Sequence, residues 1–257
     1  MNAAAPGPAI EFRNVSYSVA GSQVLCSLNL QVARGETLVL LGRSGSGKTT
    51  TLKLVNHLVS PTSGEVLVDG TPNDRVDIIQ LRRRIGYVIQ ESGLFPHFTV
   101  ERNIGLIPRI EGWEQDRIKA RVQELLRLVG LDADLARRYP HQLSGGQRQR
   151  VGVARALAAD PEFLLMDEPF GALDPLTRDE LQREFFLLQQ RLHKTVLFVT
   201  HDLHEALRLS TRIALLEAGR LVTLLTPQEF LKSTDPFASA YVRAFGNALE
   251  AVNRGAG

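Results

Sequence analysis

Two stretches of this sequence combine residue types that handle phosphates. Gly42-Arg43-Ser44-Gly45-Ser46-Gly47-Lys48-Thr49, with Thr50 behind it, fits the phosphate-loop pattern, following an apolar run and opening a helical one. Its glycines let successive backbone N–H groups turn toward phosphate oxygens, and the helix N-terminus adds a partial positive charge. Lys48 is spaced to reach the β- and γ-phosphates of a nucleotide, and the Thr49 hydroxyl to ligate a Mg²⁺ that bridges them. Further on, the apolar run Phe163 to Met166 ends in Asp167-Glu168, as if a buried strand delivered two carboxylates to the edge of a sheet where ligands bind. Asp167 would then face the metal, while a turn past the strand swings Glu168 toward the γ-phosphate to take a proton from water.

Leu143-Ser144-Gly145-Gly146-Gln147 makes a second phosphate grip: Ser144 suits a helix N-cap, and the glycines expose backbone N–H groups to an anion. Two such helix starts but only one lysine make poor sense as two separate sites. They make good sense as one site shared between two copies arranged head to tail.

Several elements must position these groups. From Ile10 to Leu41, short runs broken at Ala20-Gly21 and Arg34-Gly35 predict a β-hairpin leading into a buried strand over Thr37–Leu41. The phosphate loop opens a helix expected over 47–59. Apolar runs at 85–89, 163–166, 196–200 and 213–216 alternate with helical patterns, as in a parallel sheet covered on both faces. The stretch from 99 to 160 has no strand-like run, and Arg117 to Val129 is apolar at helical spacing, so a helical subdomain is expected there. A hairpin at Ala218-Gly219, a short helix begun by Pro227 and a closing helix over 236–252 complete one α/β domain spanning 10–257. Residues 1–9 read as a disordered tail, and no further domain is expected.

Composition excludes several classes. A net charge of +2 from 30 basic and 28 acidic residues gives no nucleic-acid footprint, so no nucleic-acid partner is expected. Arg82-Arg83-Arg84 reads as a solvated face, with contact to a partner as the alternative. The single cysteine, Cys26, cannot form an internal disulfide and is expected buried and inert, in a reducing compartment. No secretory signal is visible, and no apolar run approaches the roughly 20 residues that span a bilayer, so a membrane role would come through a partner.

The order phosphate loop, Gln90, Leu143 to Gln147, Asp167-Glu168, Ala172-Leu173-Asp174 and Thr200-His201-Asp202 resembles an ABC ATPase over almost the whole chain. That resemblance implies a P-loop fold with an N-terminal antiparallel β subdomain and an inserted α-helical subdomain, using ATP and Mg²⁺. It implies that Gln90 couples Mg²⁺ and water to membrane subunits, and that Ser144 and Gly146, with Gly145 and Gln147, clamp the γ-phosphate of the partner copy's ATP. Asp174 would cross the dimer interface, and His201 would hold the γ-phosphate against Glu168. The family usually stacks adenine on an aromatic residue of the first strand. Here that position falls at Val19, and Tyr17, on the same strand face, either substitutes or is an ordinary core aromatic.

Ile85 to Gln90, Leu94-Phe95-Pro96-His97, Tyr139 to Gln142 and Met166 to Pro175 further resemble importers of glycine betaine, choline, carnitine and related osmoprotectants. This implies integral-membrane permease subunits, an extracytoplasmic solute-binding protein and a place on the cytoplasmic face of the membrane. The apolar patch from Gln90 through Glu91 and Ser92 to Val100 either receives a partner helix or packs in the subdomain's own core. Three rivals lack support. A soluble ABC ATPase for translation or DNA repair would carry two cassettes or a basic surface. A non-hydrolysing subunit would have lost Glu168, Lys48 or Ser144. Many exporter subunits are fused to a membrane domain.

Overall fold

The computed structural model describes residues 7–90, 93–171 and 173–244. The chain forms two compact units, one from residues 1–76 with 197–257 and the other from 77–196.

The first unit begins with β1 (Ile10–Val19) and β2 (Ser22–Val32), followed by the wholly buried β3 (Thr37–Leu41), α1 (Lys48–Val55), β4 (Ser63–Val68) and the short β5 (Thr71–Pro72). β2, β1, β4 and β5 make an antiparallel sheet in that order. The β4–β5 hairpin was not foreseen, although its Asp69-Gly70 turn, with φ of 50° and 75°, is the residue pair that two-residue hairpins favour. α1 stops at Val55, short of the expected 59. His57 adopts φ 51°, and the Leu58 and His57 amides donate to the Lys53 and Leu54 carbonyls, closing the helix as a Schellman motif does.

Ala9, within the expected tail, is buried and its amide donates to the Val32 carbonyl at 2.8 Å; residues 1–6 lie outside the described residues. Cys26 is half-exposed, contrary to the expected burial. Ser27, with φ 49°, bulges β2 beside it, so Leu25 and Leu28 take the inward positions.

The second unit contains α2 (Ile78–Arg83), β6 (Ile85–Val88), α3 (Val100–Ile104), α4 (Leu106–Ile110), α5 (Gln115–Leu128), α6 (Gly145–Ala156), β7 (Phe163–Asp167) and α7 (Pro175–Leu192). β6 and β7 pair in parallel, and β7 is buried throughout. α5 buries Ile118, Val122 and Leu125 on one stripe, the periodicity that marked it as a helix. The expected helical stretch over 99–160 falls in this unit. Arg82 and Arg83 are exposed as expected, but Arg84 lies over the Phe163 ring and grips Glu162 with two 2.8 Å hydrogen bonds.

The chain leaves the second unit within β8 (Thr195–Thr200) and adds α8 (Leu203–Leu209), β9 (Arg212–Glu217), β10 (Arg220–Leu225) and α9 (Pro227–Leu231). β9 lies parallel to β3, β10 folds back on β9 at Ala218-Gly219, and β8 flanks β3 on its other side. Thr226 caps α9 with Pro227 at its first position, as the sequence indicated. Residues 236–244 are helical, and the rest of the expected closing helix lies outside the described residues.

Candidate functional site

β3 is a continuous apolar run because both faces are covered, and it ends where the chain must turn sharply into α1. Gly47 makes that turn with φ 97°, a left-handed conformation. A Cβ there would lie 2.5 Å from Leu25 Cδ2 and 3.0 Å from the Val24 carbonyl oxygen. The loop is thus seated directly on β2. Lys48, only 5% exposed, donates through Nζ to the Gly42 carbonyl at 2.8 Å and the Arg43 carbonyl at 2.9 Å. Ser46 Oγ is buried with no hydrogen-bond partner. An orphaned hydroxyl inside a turn of backbone amides suits a phosphate oxygen, so the loop fits the nucleotide that the sequence implies. Arg43, Ser44 and Gly45 are exposed, and Thr49 and Thr50 are half-exposed at the helix start.

In the same unit β8 ends at Thr200, and His201 stands exposed just beyond it, before Asp202 caps α8 by accepting the His204 amide at 2.7 Å. On β1, Tyr17 is half-buried opposite Leu25, whereas Val19 is 52% exposed opposite Ser22.

The second unit carries the carboxylates. Asp167 ends β7 at 7% exposure. Its negative charge adds to burial in holding the phenol of Tyr87, on neighbouring β6, up to about 12. Glu168 leaves the strand with φ 43°, a conformation rare for a residue with a side chain; this is the turn expected to redirect it. Gln90 is exposed in the turn after β6. The hydroxyl, amide and carboxylate oxygens of Thr49, Gln90 and Asp167 are the hard donors that Mg²⁺ prefers.

Ser144 caps α6 as expected: its Oγ accepts the Gln147 amide at 3.2 Å, and Gln147 Oε1 accepts the Ser144 amide at 3.0 Å. Gly145 is exposed and Gly146 buried. Asp174 caps α7 by accepting from Thr177, whose hydrogen bonds hold its carboxyl below the usual range, and Leu176 beside it is 84% exposed. Ala172 lies outside the described residues.

The patch after Gln90 divides: Phe95, Pro96 and His97 are exposed, Leu94 and Phe98 are half-buried, and Val100 packs in the core; Glu91 and Ser92 lie outside the described residues. Phe95, Ile107, Tyr87, Arg83 and Arg155 line a groove of about 370 Å³. Asn103, wholly buried, holds Phe95 in place there: its side chain accepts the Phe95 amide and donates to the Phe95, Phe98 and Thr99 carbonyls. Its one signal in the sequence is an Asn on the apolar face shared by Val100 and Ile104.

Among the described residues no helix is long and apolar enough to cross a membrane. The chain is 50% identical over 88% of its length to the glycine betaine/carnitine/choline transport ATP-binding protein OpuCA of Bacillus subtilis, and spans 58% of that relative's length. It is also 50% identical over 92% of its length to the glycine betaine uptake system ATP-binding protein YehX of Escherichia coli, spanning 76% of it. The dimeric post-hydrolysis structure of the ATP-binding cassette MJ0796 with ADP and Pi superposes with a TM-score of 0.76 at 33% identity, over 85% of this chain and 98% of that one. A family description of ABC transporters matches residues 25–171, and the chain belongs to that family.

Proposed function

We propose that the chain is the ATP-hydrolysing subunit of an importer for quaternary-amine osmoprotectants of the glycine betaine, choline and carnitine type. It works at the cytoplasmic face of the membrane as a head-to-tail dimer, with integral-membrane permease subunits and an extracytoplasmic solute-binding protein. The observation that carries the ATPase reading is the phosphate loop seated on β2, with Lys48 and the orphaned Ser46 hydroxyl inside it. Support for the cargo comes from the relatives, whose names specify quaternary amines.

In this reading the residues of both units form one ATPase domain. Gly42 to Thr50 bind the phosphates, with Lys48 on the β- and γ-phosphates. Thr49, Gln90 and Asp167 hold Mg²⁺, which when bound offsets the phosphate charge. Glu168 accepts the proton of the attacking water, and His201 keeps the γ-phosphate in place against it. Ser144 to Gln147 of one copy close on the nucleotide of the other, and Asp174 with exposed Leu176 contributes to the interface between copies. The groove beside Phe95 takes a helix of the permease.

Glu168→Gln tests the chemistry: ATP turnover should fall roughly 10² to 10⁴-fold with binding retained, and ATP should trap a dimer on sizing. Near-normal turnover would remove Glu168 from the mechanism. For the cargo, the complex reconstituted with its permease and binding protein should hydrolyse ATP faster with glycine betaine, choline or carnitine than with empty binding protein. Stimulation by a sugar or phosphate alone would sink that assignment and leave the ATPase standing.

A further inference from the structure

A carboxylate that the reading above leaves without a task lies just past His201. Glu205, in the first turn of α8, is 3% exposed. Thr200, 2% exposed at the end of β8, donates its hydroxyl to Glu205 Oε2 at 2.6 Å. The same hydroxyl oxygen accepts the Asp202 amide at 3.0 Å, and Asp202 in turn caps α8 by accepting the His204 amide.

The residues on either side of His201 are therefore tied to each other across it. Thr200 is joined to Asp202 by the hydrogen bond from the Asp202 amide to its hydroxyl oxygen, and both are anchored on α8, one through Glu205 and one through the cap. A hydroxyl that donates to a carboxylate while accepting an amide has its rotamer set, and each bond polarises the other. A leucine would fill the same buried space without the cost of burying a polar group in it. The arrangement leaves His201 exposed on a turn whose two flanking residues are both held.

We propose that Glu205 is the positioning residue for His201: through Thr200 it fixes the turn that aims the imidazole at the phosphate. This rests on the role given to His201 above. Glu205, 3% exposed, acts through Thr200.

The test uses the full chain under conditions where it hydrolyses ATP, with kcat and KM followed alongside thermal unfolding. Glu205→Leu should lower kcat about tenfold to a hundredfold while KM stays within about twofold, since a misplacement near 1 Å costs that much in rate. Glu205→Gln, whose amide oxygen still accepts the Thr200 hydroxyl, should recover most of the rate. In a His201→Ala background, Glu205→Leu should add less than about twofold, because it acts through a side chain no longer there. Full additivity, or a Gln variant as damaged as the Leu variant, overturns the proposal. If Glu205→Leu does not fold, Thr200→Val keeps the shape and removes the hydroxyl. A kcat loss suppressed by His201→Ala then supports the proposal, and an additive loss overturns it. Turnover unchanged in His201→Ala sinks the role of His201 and this inference with it; impaired His201→Ala beside intact Glu205→Leu overturns the inference alone.

Discussion

Lys48 Nζ lies 2.8 Å from the Gly42 carbonyl oxygen, so the ammonium group is held by the loop it serves. Lys48→Met keeps the length of the side chain and removes the charge. A hydrogen bond to a charged group is worth about 1.5–3 kcal/mol, so ATP affinity should fall roughly 10 to 150-fold. Titration calorimetry reads this directly. An unchanged affinity would mean that the backbone amides alone hold the phosphates.

Gly47 and Gly45 both have positive φ, 97° and 81°, but their surroundings differ. A Cβ at Gly45 meets nothing within 4 Å, whereas one at Gly47 runs into Leu25 and Val24. Gly45→Ala should therefore lower stability only by the backbone cost, about 1–2 kcal/mol. Gly47→Ala should lose more, and lose ATP binding with it as the loop is pushed off β2. Calorimetric unfolding compares the two, and equal losses would show that contact with β2 does not hold the loop.

How far the sequence announced this arrangement depended on the range of the causes. β3, β7 and β8 were legible because strands buried on both faces are continuous apolar runs. Ser144 and the Thr226-Pro227 start were legible because a helix cap bonds an amide only three residues away. Cys26 was misplaced because a single left-handed residue, Ser27, shifts the register of β2, and a one-residue slip exchanges inside for outside. Nothing in the local pattern singles out Glu205, and only the folded chain shows it buried with the Thr200 hydroxyl on its carboxyl.

Tyr87 gives a pH signature to the strand pair that ends in Asp167. Burial first, and then the negative charge of Asp167, push its phenol from 10 up to about 12. Below pH 10 both folded and unfolded chains keep the proton, so Tyr87 leaves stability independent of pH there. Between 10 and 12 the folded chain binds more protons than the unfolded one, and stability falls as pH rises through that window. At about 1.4 kcal/mol per unit, reduced for the partial exposure of the ring, the loss is on the order of 1 kcal/mol. Denaturant titrations of wild type and Tyr87→Phe should separate in their slopes across this window alone. Parallel curves would rule out Tyr87 as their source.

The base of the nucleotide is the least provided for. On β1 the position that aligns with the family's aromatic is Val19, 52% exposed and free of a large neighbour across the strand pair, since it faces Ser22. Tyr17 lies two residues earlier on the same face. The irregularity after it skips a residue of β2, so the alternation of β1 itself is kept. Its cross-strand partner Leu25 is the residue that packs against Gly47, which brings Tyr17 near the loop but leaves it half-buried. An exposed ring at position 19 has more freedom to lie on a base than a half-buried one at 17. Val19→Tyr should therefore tighten ATP binding, up to about tenfold for an added stacking energy near 1 kcal/mol, and Tyr17→Ala should change it little. Fluorescence titration with ATP and with inorganic triphosphate separates base from phosphate binding, because only the former should respond. If Val19→Tyr does nothing while Tyr17→Ala weakens ATP alone, Tyr17 is the stacking residue and the expectation for position 19 fails.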